Sequence, residues 1–260
     1  MSSSSPMTTD RVVARNGLTL VSIPAPPAGV TGFVTARTGG RSRAPWESLN
    51  LGFTVGDDPA AVRANLDLVG AAAGVPPAKW ARVRMVHGPG IRRADRPGIA
   101  GMADGLLTQR RRLPLALTVA DCLPLFLWAP GPAIALLHCG WRGVAAGIVE
   151  NGAVQLAAAA GCLPGHLGAW IGPGIGPCCY AVGWEAAIRV APQRPRPGTT
   201  VQLDLPAEVT RRLSGRGLAP ERIQASAHCT ACRPDLFFSH RATGGRTGRM
   251  AALMMLEESD

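Results

Sequence analysis

Three consecutive apolar segments between residues 115 and 139 constrain the fold of this chain more than any other feature. They read LALTVADC (115–122), LPLFLW (123–128) and AIALLHC (133–139), and Pro and Gly lie between or beside them. Short apolar runs of this kind, without strict alternation of polar and apolar residues, are typical of strands buried on both faces. We therefore predict three buried strands in this region.

Strand and helix patterns interleave along the rest of the chain. Asp58 followed by Pro59 is a helix start, and Gly215 is a helix stop. This alternation predicts an α/β fold, a layered domain of mixed β-sheets flanked by helices. We predict strands at 18–23, 31–36, 82–88, 104–108, 167–172, 222–229 and 249–256, a long loop at 37–52, and helices at 59–73, 143–161 and 206–215.

The size of the chain suits one domain. It has 260 residues, of which 47% are apolar, enough for a large core. We expect residues 1–10 to be a flexible tail, residues 11–260 to form one catalytic domain, and the Pro- and Arg-rich stretch 191–200 to be an exposed loop.

Location and partners follow from charge and hydropathy. No apolar run approaches the roughly 18 residues of a membrane span, and the N-terminal segment lacks the pattern of a secretory signal, so we expect a cytoplasmic protein that does not bind membranes. The net charge is +10, which alone would suit nucleic acid. Lys79 is the only lysine, however, the arginines are scattered and aromatic residues are few, so we do not expect a nucleic-acid partner.

The cysteine count argues against a disulfide framework. Seven cysteines cannot all pair, and a reducing cytoplasm would preserve thiols for metal binding or catalysis. Cys229 and Cys232 form a C-x-x-C motif (CTAC). Since no second pair has matching spacing, we interpret these two as structural residues.

Thiol and imidazole groups recur at the predicted strand ends. His87 and His138 each end an apolar strand, and Cys122 ends another run, 16 residues before His138. At one sheet edge, two imidazoles and one thiolate would bind Zn²⁺ and leave a fourth position open, as catalytic zinc sites do.

The same residues allow other interpretations. Cys122 could be a nucleophile with His138 as its base and Asp121 as the orienting group, although adjacent strand residues point in opposite directions. Each residue could also be an ordinary core or turn residue. Four loops rich in glycine and arginine, at 37–42, 138–143, 172–180 and 237–249, together suggest a pocket for an anionic co-substrate.

The ordered motifs ARTGGRS, SLNLG, VGDDPAAVRANL, VHG, ADGLLT, TVADCLPLFL, HCGWRG, IGPGIGPCCYAVG, FFSHR and TGR cover about residues 31–256. The chain thereby resembles the YfiH-type family, first labelled laccase-domain or polyphenol oxidase proteins and later recognised as purine nucleoside phosphorylases. The resemblance implies a fold related to cysteine-hydrolase-like toxins. It also implies a zinc site at His87, Cys122 and His138, which would be the catalytic residues.

The resemblance further implies a reaction and its substrates. Members cleave adenosine, inosine, guanosine and methylthioadenosine with phosphate, and some deaminate adenosine. Arg37, Asn50 and Arg241 occupy positions that line the family's pocket, so we expect them to bind substrate or phosphate. The expected partners are thus a nucleoside and phosphate, in a monomer or homodimer.

Two other activities stay open. One is a cysteine-nucleophile hydrolase that edits peptidoglycan precursors. The other is a copper-dependent polyphenol oxidase; Cu²⁺ could displace Zn²⁺ in vitro, but five histidines are too few for a multicopper centre. The chain departs from the family at Met85, Cys139 and His240, where glutamine, alanine and tyrosine are usual. Met85 in particular leaves the substrate preference undetermined.

Overall fold

The computed structural model describes residues 10–190 and 195–258. The strands in these ranges are β1 (Arg11–Arg15), β2 (Leu18–Ser22), β3 (Val30–Thr35), β4 (Ala81–Arg84), β5 (Ile91–Arg93), β6 (Gly98–Met102), β7 (Gly105–Thr108), β8 (Leu115–Val119), β9 (Leu123–Trp128), β10 (Ile134–Cys139), β11 (Gly168–Ile171), β12 (Ala181–Gly183), β13 (Thr200–Gln202), β14 (Ile223–Ala225) and β15 (Met250–Leu256). The helices are α1 (Pro59–Ala73), α2 (Trp141–Ala145), α3 (Ile148–Ala160), α4 (Trp184–Val190) and α5 (Leu205–Ser214).

The strands form two large mixed sheets. The first has the order β1-β2-β3-β15-β8-β4-β6, and the second has the order β14-β11-β9-β10-β7-β5. A separate two-stranded sheet pairs β12 with β13. The α/β class with mixed sheets and flanking helices is therefore confirmed.

The central strands are apolar throughout because both of their faces are buried. In β9, Leu125 and Leu127 pack in a cluster that includes α3 and α5, whereas Phe126 packs in a different cluster between the two sheets. In the first sheet, Leu253 packs toward α1 and Met254 packs between the sheets. Alternate residues of a strand point to opposite faces, so the layers run α1, first sheet, second sheet, then α3 with α5.

The chain crosses from one sheet to the other at the segment that carries Asp121 and Cys122. β8 belongs to the first sheet and β9 to the second, and only residues 120–122 connect them. Asp121 has φ 82, a left-handed conformation that is uncommon outside glycine. This crossing turn places Cys122 between the two layers, next to the end of β10.

Several predicted elements are confirmed and others need correction. Helix α1 begins at Pro59 and ends at Ala73 as predicted, with the Asp58 side chain accepting a hydrogen bond from the Ala60 amide. The predicted strand 82–88 is wrong at its end: β4 stops at Arg84, and His87 lies in the following turn with φ 58. The segment 115–122 is likewise strand only to Val119.

The predicted helix 143–161 is two helices. Gly147 has φ 92 and separates α2 from α3, a conformation that ends α-helical geometry and that Ala-rich flanking sequence does not reveal. Strands β1, β5, β6, β12 and β13 and helix α4 are short and were not predicted. Residues 1–9 and 191–194 lie outside the described residues, so the flexible tail and the first part of the 191–200 loop stay predictions, as does the single domain.

Within the described ranges, none of the helices combines the length and the apolar character needed to cross a membrane.

Candidate metal centre

The antiparallel pairing of β9 and β10 brings Cys122 beside His138. His138 is opposite Pro124, and Cys139 is opposite Leu123. Cys122 comes immediately before β9 and therefore lies at the same end of the ladder as His138. The hairpin register thus joins two residues that the sequence separates by 16 positions.

His87 reaches the same place from the first sheet. The turn after β4 is held by Asp104, whose Oδ2 accepts hydrogen bonds from the amides of Val86 (3.0 Å) and Gly88 (2.8 Å). The other oxygen of Asp104, Oδ1, lies 3.0 Å from Nδ1 of His138. One fully buried carboxylate therefore fixes the turn that carries His87 and the ring of His138.

The Asp104 contact determines which nitrogen of His138 can bind a ligand. An ionised carboxylate only accepts hydrogen bonds, so Nδ1 carries the proton and Nε2 is left for a metal ion or a thiolate. Asp104 was not assigned a role from the sequence, although its motif ADGLLT was noted; a buried acidic residue just before a strand was the available signal.

The three donor atoms are close enough to share one ion. The candidate ligand atoms of His87, Cys122 and His138 all lie within 4.8 Å of one another, and the two imidazole rings are 5.0 Å apart at 80°. A Cβ at Gly140 would lie 3.0 Å from the Cys122 sulfur and 3.6 Å from His87 Cδ2. Only glycine leaves this close approach undisturbed. The set of two nitrogens and one sulfur fits a tetrahedral zinc site with a position free for substrate.

Charge coupling within this trio favours the metal-binding form of the thiol. Burial would raise the pKa of Cys122, but the positive charge of His138 and hydrogen bonds from both histidines lower it to about 6. Burial would lower the pKa of His138, but the Cys122 thiolate and the Asp104 carboxylate raise it to about 10. Without metal the pair is therefore thiolate and imidazolium, and a bound cation would replace the shared proton.

The pKa of Asp104 follows the same charges. Burial acts to raise it, but the hydrogen bonds from His138 and from two backbone amides lower it below its ordinary value of 3.8. Asp104 therefore stays ionised and keeps its acceptor role.

The alternative interpretation, in which Asp121 orients His138, does not agree with the structure. Its Oδ1 accepts a hydrogen bond from Thr230 Oγ1 (2.7 Å), and its Oδ2 accepts one from the amide of Arg241 (2.6 Å). Asp121 therefore anchors two distant loops to the crossing turn, and the carboxylate that contacts His138 is Asp104.

The three predicted substrate-binding residues are placed differently. Arg37 stacks on the Phe238 ring at 4.7 Å and donates hydrogen bonds to the carbonyls of Glu47 and Pro234. Asn50 is fully buried; its amide oxygen accepts from the Gly52 and Arg249 amides, and its nitrogen donates to the Gly52 carbonyl and to Asp57.

Arg241 is the one of the three that the structure connects directly to the crossing turn, through its backbone bond to Asp121. Its guanidinium lies 4.9 Å from the Tyr180 ring and donates a hydrogen bond to the Ala181 carbonyl. The role of all three residues in binding substrate stays a prediction.

Two further residues, Arg249 and Tyr180, interact electrostatically with Cys122 and were not assigned a role from the sequence. Burial lowers the pKa of Arg249, while the negative charges of Asp121 and Cys122 act to raise it, so this half-buried guanidinium and the thiolate attract each other. Burial and the negative charge of Cys122 raise the pKa of Tyr180 to about 12, which keeps the phenol neutral. The TGR motif and the only tyrosine in the chain were the signals available in the sequence.

Comparison with known proteins assigns this chain to a family. The family described as "Multi-copper polyphenol oxidoreductase laccase" matches residues 31–257. The chain belongs to this family. The resemblance inferred from the ordered motifs is thereby confirmed.

Relatives within the laccase-domain family cover nearly the whole chain. Purine nucleoside phosphorylase YlmD of Geobacillus stearothermophilus is 35% identical over 88% of this chain and 92% of its own length. A purine nucleoside phosphorylase of Streptomyces coelicolor is 36% identical over 86% of this chain and 94% of its own. The crystal structure of Geobacillus stearothermophilus YlmD has a TM-score of 0.88 at 33% identity, covering 96% of this chain and 99% of that one. A Bacillus licheniformis protein named YfiH has a TM-score of 0.86 at 29% identity, covering 93% and 97% of the two chains.

Proposed function

We propose that this protein is a zinc-dependent purine nucleoside phosphorylase. The observation that carries the proposal is the convergence of His87, Cys122 and His138 on one point, supported by Asp104, in a chain whose relatives at about 35% identity bear that name. The substrates would be adenosine, inosine, guanosine and methylthioadenosine together with phosphate. Adenosine deamination would be a second activity of the same site.

The donor set favours zinc over copper. A thiolate and two imidazoles with a free position suit Zn²⁺, whereas a multicopper centre consumes more imidazoles than a chain with five histidines can supply. His87, Cys122 and His138 would hold the ion. When bound, it would supply Lewis acidity toward a substrate oxygen or nitrogen.

The chain's own groups support the transfer of a ribosyl group to phosphate. A phosphate oxygen forms a bond to C1′ while the C1′–N9 bond breaks, and the purine leaves with the electron pair and takes up a proton. Arg249 and Arg241 would place positive charge beside the crossing turn, where phosphate could bind next to the sugar. The neutral phenol of Tyr180 would donate a hydrogen bond from the same side.

Asp104 would act as a positioning residue. By keeping the proton on Nδ1 of His138 it would fix the ring orientation and direct Nε2 to the ion. Its other oxygen, Oδ2, would hold the turn that carries His87 close to the end of β10. We therefore expect Asp104 to affect metal affinity more directly than substrate affinity.

A second candidate is a metal-independent cysteine hydrolase, as would suit editing of peptidoglycan precursors. The lowered pKa of Cys122, to about 6, and the adjacent His138 favour it, since a thiolate beside an imidazolium is an activated nucleophile. Metal analysis separates the two functions, because the hydrolase would work without an ion.

The test is incubation of purified, zinc-loaded protein with inosine or adenosine and phosphate, followed by chromatography. Free base and ribose 1-phosphate should appear in equal amounts and only with phosphate; inosine formed from adenosine would report deamination. Cys122→Ala should abolish base release, while Cys162→Ala, a change on a helix-end loop far from the trio in sequence, should retain it. Intact nucleoside with zinc-loaded wild-type protein would exclude the phosphorylase. Base release that survives complete removal of metal would exclude zinc dependence, whereas hydrolysis of peptidoglycan precursors by the metal-free protein would support the hydrolase.

A further inference from the structure

Four cysteines outside the proposed active-site trio lie together on two loops. Cys178 and Cys179 precede β12, and Cys229 and Cys232 follow β14. Their four sulfur atoms all lie within 4.8 Å of one another. The Cys232 sulfur is 3.5 Å from that of Cys178 and 3.4 Å from that of Cys179. Cys178 and Cys179, which are adjacent in the sequence, thus supply a second pair of thiols beside the C-x-x-C motif.

Backbone contacts hold the two loops in this arrangement. The amide of Thr230 donates to the Gly174 carbonyl at 2.9 Å, and the amide of Gly176 donates to the Cys229 sulfur at 3.2 Å. The amide of Cys232 donates to the Cys229 carbonyl at 3.2 Å, which closes a tight turn and brings both sulfurs to one side. The loops therefore present the four thiols from a fixed frame, with an N–H group directed at one sulfur.

The spacing of the sulfurs fits a single tetrahedral ion better than disulfides. A disulfide joins its sulfurs at about 2.05 Å. Zn–S bonds of about 2.3 Å place the sulfurs of a tetrahedral site about 3.8 Å apart, close to the distances around Cys232. A binuclear iron–sulfur cluster would need its cysteines more widely separated than this group allows.

We propose that Cys178, Cys179, Cys229 and Cys232 bind a second Zn²⁺ ion in a closed structural site. Four protein thiolates fill the tetrahedral shell and leave no position for substrate, so this ion has no part in the chemistry. Two of the ligands, Cys178 and Cys232, are exposed at the surface, where coordination would protect them from oxidation.

The ion would fasten the loops that support the crossing turn. Thr230 lies between two of the ligands, and its hydroxyl donates to Asp121 Oδ1 at 2.7 Å. On the other loop, the Ile175 amide donates to the Asp121 carbonyl at 2.9 Å. Both cysteine-bearing loops thus contact Asp121, the residue that precedes Cys122. The second ion would therefore stabilise the backbone that positions Cys122.

The experiment is a metal count by mass spectrometry on full-length protein purified under reducing conditions without a metal-affinity step. Wild-type protein should contain two zinc ions per chain. Cys122→Ala and Cys229→Ser should each retain one zinc ion, and the double variant should retain none. Cys162→Ser is the matched control and should retain two. Because Cys229→Ser could prevent folding, Cys178→Ser at an exposed position is a second variant, and the wild-type count requires no variant at all.

Spectroscopy identifies the ligands. Protein reconstituted with Co²⁺ should show thiolate-to-cobalt charge-transfer absorption, whose intensity rises with the number of Co–S bonds. Cys122→Ala should keep most of this intensity, whereas Cys229→Ser should keep only the weaker contribution of the single Cys122 thiolate. One zinc in wild-type protein that is lost with Cys122→Ala would overturn the proposal, as would disulfides among these four cysteines in the reduced preparation, or iron in place of zinc. A failed phosphorylase assay would leave this count unaffected, so the two proposals fail separately.

Discussion

At the residue scale, Asp104 connects more of the candidate site than any of the three proposed metal ligands. It contacts the backbone on both sides of His87 and the ring of His138 through different oxygens. A carboxamide at this position would keep the size of the side chain but would remove the negative charge and one of the two acceptors. We therefore expect Asp104→Asn to weaken metal binding although the variant keeps all three proposed ligands.

We predict that Asp104→Asn weakens zinc binding about 10- to 100-fold, because an outer carboxylate orients its histidine and raises its basicity. Chelator competition at equilibrium measures the dissociation constant. Asp95→Asn, in an exposed ion pair with Arg93, is the control and should bind zinc as the wild type does. Equal affinity for all three proteins would show that Asp104 has only a packing role.

At the element scale, α5 is joined to its surroundings by a buried carboxylate. Glu208 accepts hydrogen bonds of 2.7 Å from Arg211 and Arg212 one turn further along the helix. Arg212 also pairs with Glu150 of α3 at 2.9 Å. The network connects the two helices that cover the second sheet, and it is favourable only while Glu208 is ionised.

The pH dependence of this network has a definite sign. Burial acts to raise the pKa of Glu208, but hydrogen bonds from Arg211 and Arg212 lower it below its ordinary value of 4.5. A lowered pKa in the folded state means that the contribution is complete above about pH 4.5 and is lost as the pH falls through the folded-state value.

We predict that Glu208→Gln lowers the free energy of unfolding by about 1–3 kcal/mol near neutral pH, and that the difference from wild type shrinks as the pH falls below the ordinary glutamate value. Urea unfolding at a series of pH values measures both effects. Glu221→Gln, at an exposed position, is the control. A difference that stayed constant down to pH 3 would mean that ionisation of Glu208 does not contribute.

At the scale of the whole molecule, stability depends on the contact between the two sheets. Phe126 and Trp170 are fully buried there, with ring centroids 4.8 Å apart. Strands β8 and β15 of the first sheet pack against the second sheet through the same cluster. Since the crossing turn lies between these layers, the packing that stabilises the fold also fixes the position of Cys122.

We predict that Phe126→Ala lowers the free energy of unfolding by about 3–5 kcal/mol, because the cavity it leaves is enclosed by both sheets. Phe53, which is 46% exposed, offers a control of the same residue type: Phe53→Ala should change stability by no more than about 0.5 kcal/mol. Chemical denaturation of zinc-loaded proteins compares the two. Similar losses for both variants would argue that the inter-sheet layer is not the main core.

Much of the fold could be predicted because its signals are local, and the candidate trio could be proposed from the residue types at the ends of predicted strands. Strands β9 and β10 and the cap of α1 follow from the pattern of neighbouring residues, and the ordered motifs indicated the family. The break at Gly147 was missed because the flanking residues do not reveal its positive φ. The early end of β4 was missed because the turn that follows is held by Asp104, which is 16 to 18 residues away. Asp104 was missed for the same reason: its partners are 16 and 34 residues away.

The sequence by itself determined that the chain has an α/β core, which family it resembles, and which two imidazoles and one thiol to consider together. Only the tertiary structure decided that Asp104 rather than Asp121 contacts His138, that the Asn50 side chain bonds to its own loop and to the Arg249 amide, and that Cys178 and Cys179 meet the C-x-x-C pair. The physical reason is that residue type and short-range periodicity can be read directly from the order of the residues. The partner of a buried polar group, by contrast, is set by how two sheets and their loops pack.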